Sequence, residues 1–332
     1  MPKTTRTGPV NTAPQPLPAK KTVPLVALDL GNFQCTAFDG TEPTTIRSLF
    51  IELKPGQTAL KTSPSSPLIS LDGRRYHVGP KATEYSKYRA VDSSDKPDVA
   101  EVFFAATMPL IDCDEIDLLI MHHSYAQVEQ ALKERLTGLF SFTRNGKVHA
   151  VNIRSVAVID EAIGAWHLLK RPKGLTLGID IGAGTYLIRV WNREGEVIAG
   201  ETADKDGVYR LAVALAQDAR LKGPLRDLRI TSPLPSVILD GFANGAHQYG
   251  LTGGGWRDWW QEYRRDWFNA IVNEALSKYQ PYLGDVTNLL FTGGGVLLAD
   301  GLIKEDGMVV VPKPPQLASV IGAHRFMAGG DR

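Results

Sequence analysis

Cysteine is nearly absent from this chain: two residues, Cys35 and Cys113, stand in 332. Two thiols so far apart give no disulfide framework and no zinc-binding spacing, and they fit a reducing, cytoplasmic setting. Net charge is nearly absent too, at +1. That balance excludes bulk electrostatic attraction to nucleic acid or to an acidic membrane surface. No apolar run reaches the ~20 residues that span a bilayer. His122 and His123 stand together, but no Cys or His partner lies at ligand spacing, so they predict no metal site. What is present is a chain 43% hydrophobic and 22% charged. Its length fits about two domains with a sizeable core.

Residues 1–22 differ from the rest. They are rich in Pro and Thr, carry Lys3, Arg6, Lys20 and Lys21, and contain no acid. They lack the apolar segment of a secretory signal. Too little apolar surface is on offer to offset the ordering entropy, so a disordered basic tail is expected. A short basic contact to DNA or to a protein partner is the alternative reading.

The most informative pattern appears twice, in PLVALDLGNFQCTAFDG (24–40) and TLGIDIGAGTYLIRVWNREGE (176–196). Each copy is an apolar strand ending in Asp-x-Gly, a tight turn and a second strand. Two related α/β halves are therefore expected, each with a hairpin tip offering one carboxylate and several main-chain N–H groups. Facing tips of this kind suit a nucleotide's phosphates and its metal. Asp29, Gly31 and Asn32 form the first tip; Asp180, Gly182, Ala183, Gly184 and Thr185 form the second. The second resembles a dinucleotide fingerprint, but Leu187 replaces the third glycine and a strand follows where a helix belongs.

Between and beyond the copies, strands and helices alternate, which favours mixed sheets flanked by helices. Asp72-Gly73 and Asn145-Gly146 mark hairpin turns. Residues 99–110 are apolar and leave helix and strand open. The spacing predicts a helix over 125–140, another from about Glu161 to Lys170, and one long helix from Trp256 to Tyr279. Trp256, Trp260, Tyr263 and Trp267 share a face of that last helix, a pattern that core packing explains best. Asp160 suits a helix cap, and Glu161 lies in the first turn, where a carboxylate favours the helix dipole. Glu161 also sits just before the second tip, where a carboxylate can orient a water toward a γ-phosphate. Thr292-Gly293-Gly294-Gly295 follows a strand, and such bare backbone lets a base or ribose pack closely. Thr252-Gly253-Gly254-Gly255 shares the letters without the preceding strand and reads as a loop.

Taken in order, five places resemble the nucleotide motifs of the actin superfamily. Residues 29–36 resemble phosphate 1, 159–165 connect 1, 180–185 phosphate 2, 292–295 the adenosine motif, and Pro315 to Ala323 connect 2. Within that superfamily the chain is most similar to bacterial and archaeal actin-like proteins of the plasmid-segregating ParM type. The segments Pro315-Gln316-Leu317-Ala318-Ser319-Val320 and Tyr76-His77-Val78-Gly79-Pro80-Lys81-Ala82 carry that closer likeness.

The resemblance implies an actin/Hsp70-like ATPase fold: two similar lobes, each with a mixed sheet flanked by helices, and a nucleotide cleft between them. It implies lobe I over 23–174 with an inserted subdomain at about 43–110, lobe II over 175–311, and a final helix in 312–332 returning to lobe I. It further implies ATP with Mg²⁺. Asp29 and Asp180 would hold the metal through water, Glu161 and Asp180 would be catalytic, and Gly293, Gly294 and Gly295 would border the nucleoside. Self-assembly into filaments, a DNA-binding adaptor and a cytoplasmic location follow from the same likeness, with no membrane role. A small-molecule kinase of the same fold, or a nucleotide-binding scaffold with little hydrolysis, are the alternatives. One departure stands out. Many relatives carry a phosphate-binding Lys where this chain has Thr36, and Lys81 is the sequence-level candidate to replace it.

Overall fold

The computed structural model describes residues 23–91, 96–109, 113–170, 172–204, 206–251 and 254–329. The expected basic tail lies outside these residues, as do Thr252 and Gly253 of the second Gly-rich loop. Leu25–Leu30 (β1) and Gln34–Phe38 (β2) form the first hairpin, with Asp29 opposite Thr36. Thr44–Arg47 (β3) continues the meander. Leu49–Leu53 (β4), Leu68–Leu71 (β5), Arg74–Val78 (β6) and Arg89–Ala90 (β7) make a small antiparallel group. Its β5–β6 turn is Asp72-Gly73, with φ of 49° and 75°, the left-handed pair that a type I′ turn requires.

Lys96–Thr107 (α1) settles the ambiguous apolar segment as a helix, buried on most of its circumference. Glu115–Met121 (β8), Tyr125–Leu136 (α2), Gly138–Arg144 (β9) and Lys147–Ile159 (β10) complete the first half. All ten strands form one sheet in the order β3-β2-β1-β8-β10-β9-β5-β6-β4-β7. The 13-residue β10 makes this continuity possible. Its first part pairs antiparallel with β9 and its last part runs parallel to β8, with a bulge between Ile153 and Ser155.

After Ile163–Trp166 (α3), a second sheet forms from Leu175–Ile181 (β11), Thr185–Trp191 (β12), Val197–Asp204 (β13), Val286–Thr292 (β14) and Val309–Val310 (β15). Its order is β13-β12-β11-β14-β15. The two sheets share one plan. A three-strand antiparallel meander (β1-β2-β3, β11-β12-β13) is followed by a strand parallel to its first member, β8 in one case and β14 in the other. The repeated sequence pattern thus marks equivalent hairpins of equivalent sheets.

Val208–Gln217 (α4), Ala219–Asp227 (α5), Pro235–Ala243 (α6) and Gln261–Lys278 (α7) cover the second sheet, and Ala318–Met327 (α8) returns to the first. The helix expected from Trp256 begins only at Gln261. Trp256 instead donates its N–H to the His247 carbonyl (2.9 Å), which ties that stretch to the preceding loop. Trp256, Trp260 and Trp267 are buried in the second core as expected, and the Trp267 indole donates to the Gly207 carbonyl at 2.9 Å.

The helix expected over 161–170 is also shorter. Leu168 and Leu169 bond three residues back, to Ala165 and Trp166, so α3 tightens into 3₁₀ turns at once. The segment earns its place by position. Ala162, Ala165 and Trp166 pack against Leu187, Trp191 and Leu290 of the second sheet, while Val320 and Ala323 of α8 pack against Ala27, Phe38 and Leu119 of the first. The two helices cross backbone to backbone. A Cβ on Gly164 would lie 1.9 Å from the Ser319 carbonyl oxygen, and one on Gly322 would lie 1.9 Å from that of Gly164. Only glycine fits on either side, so the two helices, one packed on each sheet, meet backbone to backbone.

Candidate functional site

The β1–β2 tip is held from below by β3 and its successor. Ser48 donates its hydroxyl to the Gly31 carbonyl (2.6 Å) and its N–H to the Phe33 carbonyl (2.9 Å), and Arg47 also donates to Phe33 (2.7 Å). The Arg47 guanidinium lies 3.2 Å over the Phe33 ring and pairs with Asp240 on α6. The first tip is therefore strapped to the second lobe. Since a trans peptide points its N–H opposite to its C=O, the Gly31–Asn32 peptide aims the Asn32 N–H away from Ser48.

The β11–β12 tip obeys the same geometry. Gly182 donates to the Thr185 carbonyl at 2.8 Å, which closes the turn. The start of α4 then takes the carbonyls of Gly182 and Ala183, from Val208 (3.0 Å) and Tyr209 (2.7 Å). The N–H groups of Ala183 and Gly184 consequently point away from α4. The two tips approach each other, since a Cβ on Gly184 would lie 3.8 Å from Asn32 Nδ2 of the opposite tip.

The third glycine turn abuts the second tip. Gly293 has φ of 89°, and a Cβ there would lie 2.5 Å from the Ile181 carbonyl oxygen and 2.7 Å from Asp180 Oδ1. Gly295 packs on Ile181, and the nearest neighbour of Gly294 is Gln316, at 4.0 Å from its Cβ position. The Gly293 N–H donates to the Pro315 carbonyl (3.0 Å), which joins this turn to the segment entering α8.

Three carboxylates converge at the floor of the cleft. Thr292 donates its hydroxyl to Asp180 Oδ2 at 2.6 Å. Burial, and then the charge of Glu161, push the Asp180 carboxyl up to about 7. Burial and Glu161 also raise Asp29 well above the usual carboxylate range, with Lys96 partly offsetting them. Asp29 Oδ1 is shut off from solvent with no hydrogen-bond donor among the described residues. Glu161 Oε2 lies 3.8 Å from Lys96 Nζ and 3.8 Å from His123 Nδ1. Beside it, Asp160 and Arg189 form a buried pair at 3.0 Å that joins the end of β10 to β12, and Asp160 also accepts the Ala162 N–H (3.1 Å).

This floor is short of positive charge, which fits a divalent cation. Among the described residues, no group of three or more His, Cys, Asp or Glu side chains is placed to hold a metal ion. Such a floor would suit a cation that keeps most of its waters and takes only one or two carboxylates from the protein. Asp29, with its orphaned oxygen, and Asp180 are the two on hand.

Of the predicted site residues, Asp29, Asp180 and Glu161 are brought together and the turns at Gly184 and Gly293 lie beside Asn32 and Asp180, whereas the lysine candidate lies elsewhere. Lys81 donates its ammonium to the Lys61 carbonyl, within the small antiparallel group. Thr36 is buried and its hydroxyl is shared with Thr45 (3.2 Å), so it supplies nothing to the cleft. The sequence reading missed Lys96, His123 and Arg189. The Lys-Pro pair at 96–97 suits a helix start, but no local signal shows that this lysine turns inward.

Residues 27–164 match the family model described as the N-terminal domain of actin-like proteins. Among solved structures, an archaeal actin homolog shares 19% identity at a TM-score of 0.71, covering 92% of this chain and 99% of its own. The same homolog in complex with ADP gives a TM-score of 0.68 at 19% identity, with 92% and 99% covered. A ParM from Clostridium botulinum, solved as a 15-stranded filament, gives 0.69 at 17% identity, again covering 92% and 99%. Curated proteins give no sequence match. The chain has the actin-like fold across nearly its whole described length.

Proposed function

We propose that this protein is an actin-like ATPase that binds ATP between its lobes and assembles into filaments. One observation carries the reading: the two glycine tips approach each other, a Cβ on Gly184 falling 3.8 Å from the Asn32 side-chain amide, beside three crowded carboxylates. In this reading the N–H groups of Asn32, Ala183 and Gly184 donate to phosphate oxygens, as preorganised dipoles suited to spread negative charge. Thr185 and Gly182 hold the shape of the second tip. Gly293, Gly294 and Gly295 offer a surface without side chains to the nucleoside. Asp29 and Asp180 would hold Mg²⁺ through water, and that ion would neutralise charge on the phosphates. Glu161 accepts a hydrogen bond from the attacking water and orients it.

The solved filament of a ParM supports self-assembly. A head-to-tail contact that does not close upon itself makes a filament, and hydrolysis at the cleft would weaken that contact. A DNA-binding adaptor and a cargo such as a plasmid are the expected partners, in the cytoplasm. No described helix is long and apolar enough to cross a membrane.

Sedimentation with Mg²⁺ and ATP tests assembly, with electron microscopy of the pellet. Protein that stays in the supernatant at tens of micromolar counts against filaments. Glu161→Ala should leave ATP binding intact and cut phosphate release by about 10²–10⁴-fold; unchanged turnover rejects its role.

A further inference from the structure

Lys96 opens α1, and its side chain is 2% exposed. A lysine is almost never buried this deeply unless paired. The pair it has is loose: 3.8 Å from Glu161 is ion-pair distance and too long for a hydrogen bond. Glu161 meets His123 at the same distance. The ammonium is also close enough to Asp29 to act on its carboxyl. Its amino group thus sits among the carboxyl groups of Glu161 and Asp29, and among the described residues no carboxylate comes closer to it than the 3.8 Å of Glu161. The position where relatives carry a phosphate lysine holds Thr36, which is engaged with Thr45.

On the reading that the cleft binds a nucleotide, we infer that Lys96 is the phosphate-binding cation of this chain and that its contact with Glu161 is the empty-cleft half of a counter-ion exchange. An ammonium on a four-carbon stem swings as a compact point charge. Terminal phosphate oxygens take over as its partner and give it the short, charge-assisted bonds that Glu161 does not. Glu161, relieved of Lys96, turns its carboxylate to the water. One exchange thereby couples occupancy of the terminal phosphate site to the readiness of the residue that positions water. A chain that lacks the lysine at position 36 keeps its phosphate contact by supplying the charge from another element.

The test is an affinity series for ATP, ADP and adenosine, each with Mg²⁺, by calorimetry on the full chain. Lys96→Met should weaken ATP by about 10–100-fold, the loss of one charge-assisted bond. Adenosine should be unaffected, whereas general damage to the fold lowers all three alike. Lys96→Arg should restore part of the ATP affinity. Because Lys96→Met leaves Glu161 in a buried site with less compensation, the double variant Lys96→Met/Glu161→Gln is measured beside it and should show the same loss of preference for ATP over adenosine. Wild-type protein that prefers ATP, with variants that keep the same preference, overturns the role of Lys96 and leaves the nucleotide cleft standing. Wild-type protein that binds no ATP overturns the nucleotide reading itself, and this inference with it.

Discussion

Replacing Asp180 with Asn should stabilise the nucleotide-free protein, and only above mildly acidic pH. Burial and the neighbouring Glu161 lift the Asp180 carboxyl from 3.8 to about 7. A shift of about three units at ~1.4 kcal/mol each sets an upper limit near 4 kcal/mol. The residue is only half-buried, so about 2–4 kcal/mol is the expected range. The folded state keeps a proton that the unfolded chain has already released. Stability from this group is therefore lost as pH rises from about 4 to about 7, and changes little beyond. Asn carries no charge and still accepts the hydrogen bond that Thr292 gives Asp180. Its advantage should be near zero at pH 4 and complete by pH 8. For a chain of this size that is roughly 3–6 °C in Tm. Thermal unfolding at pH 4 and pH 8, in chelator and without nucleotide, measures it directly. With Mg²⁺ and ATP added, wild-type protein should gain more stability than the variant, since the carboxylate then has its counter-ion. An equal shift at both pH values, or a destabilised variant at pH 8, refutes the argument.

Three further outcomes are expected. Gly322→Ala drives a Cβ into the Gly164 carbonyl, 1.9 Å away; forced separation of the crossing helices should cost about 1–3 kcal/mol in urea unfolding, and an unchanged midpoint contradicts the crossing. Asp160→Ala strands the buried Arg189 guanidinium and should cost about 3–5 kcal/mol, whereas Asp160→Leu with Arg189→Met should cost far less than the sum of its parts; strict additivity in that cycle contradicts a coupled pair. His122, held neutral mainly by burial, has its pKa pulled down to about 3. The unfolded chain therefore takes up a proton below pH 6.5 that the fold refuses, and stability falls by ~1.4 kcal/mol per pH unit from this group as pH drops toward 3. His122→Gln should flatten the acid-unfolding slope by about one proton, and an unaltered slope rejects the assignment.

The hairpins and turns were legible because their chemistry is local. Asp29-Leu30-Gly31 and Asp180-Ile181-Gly182 announce strand-then-turn in a few letters, and Asp72-Gly73 and Asn145-Gly146 supply the left-handed pairs their turns use. The duplication was legible for the same reason. Tertiary choices were not. Trp256 has helical spacing with its neighbours, yet its N–H is claimed by His247, so α7 starts later. The segment after Glu161 is helical in pattern, yet its turns tighten where Gly164 meets α8. Lys81 and Lys96 look alike as letters. Which one is buried depends on how α1 packs beneath the first sheet, and no periodicity records that.

The central claim is a cleft that grips a triphosphate with main-chain N–H groups and carboxylate-held magnesium. Isothermal titration of the full chain with ATP in excess Mg²⁺ tests it most directly. One molecule of ATP per chain is expected, with ADP weaker and adenosine weaker still, and with chelator sharply reducing the ATP affinity. No measurable binding at millimolar ATP, or equal affinity for ATP and adenosine, contradicts it.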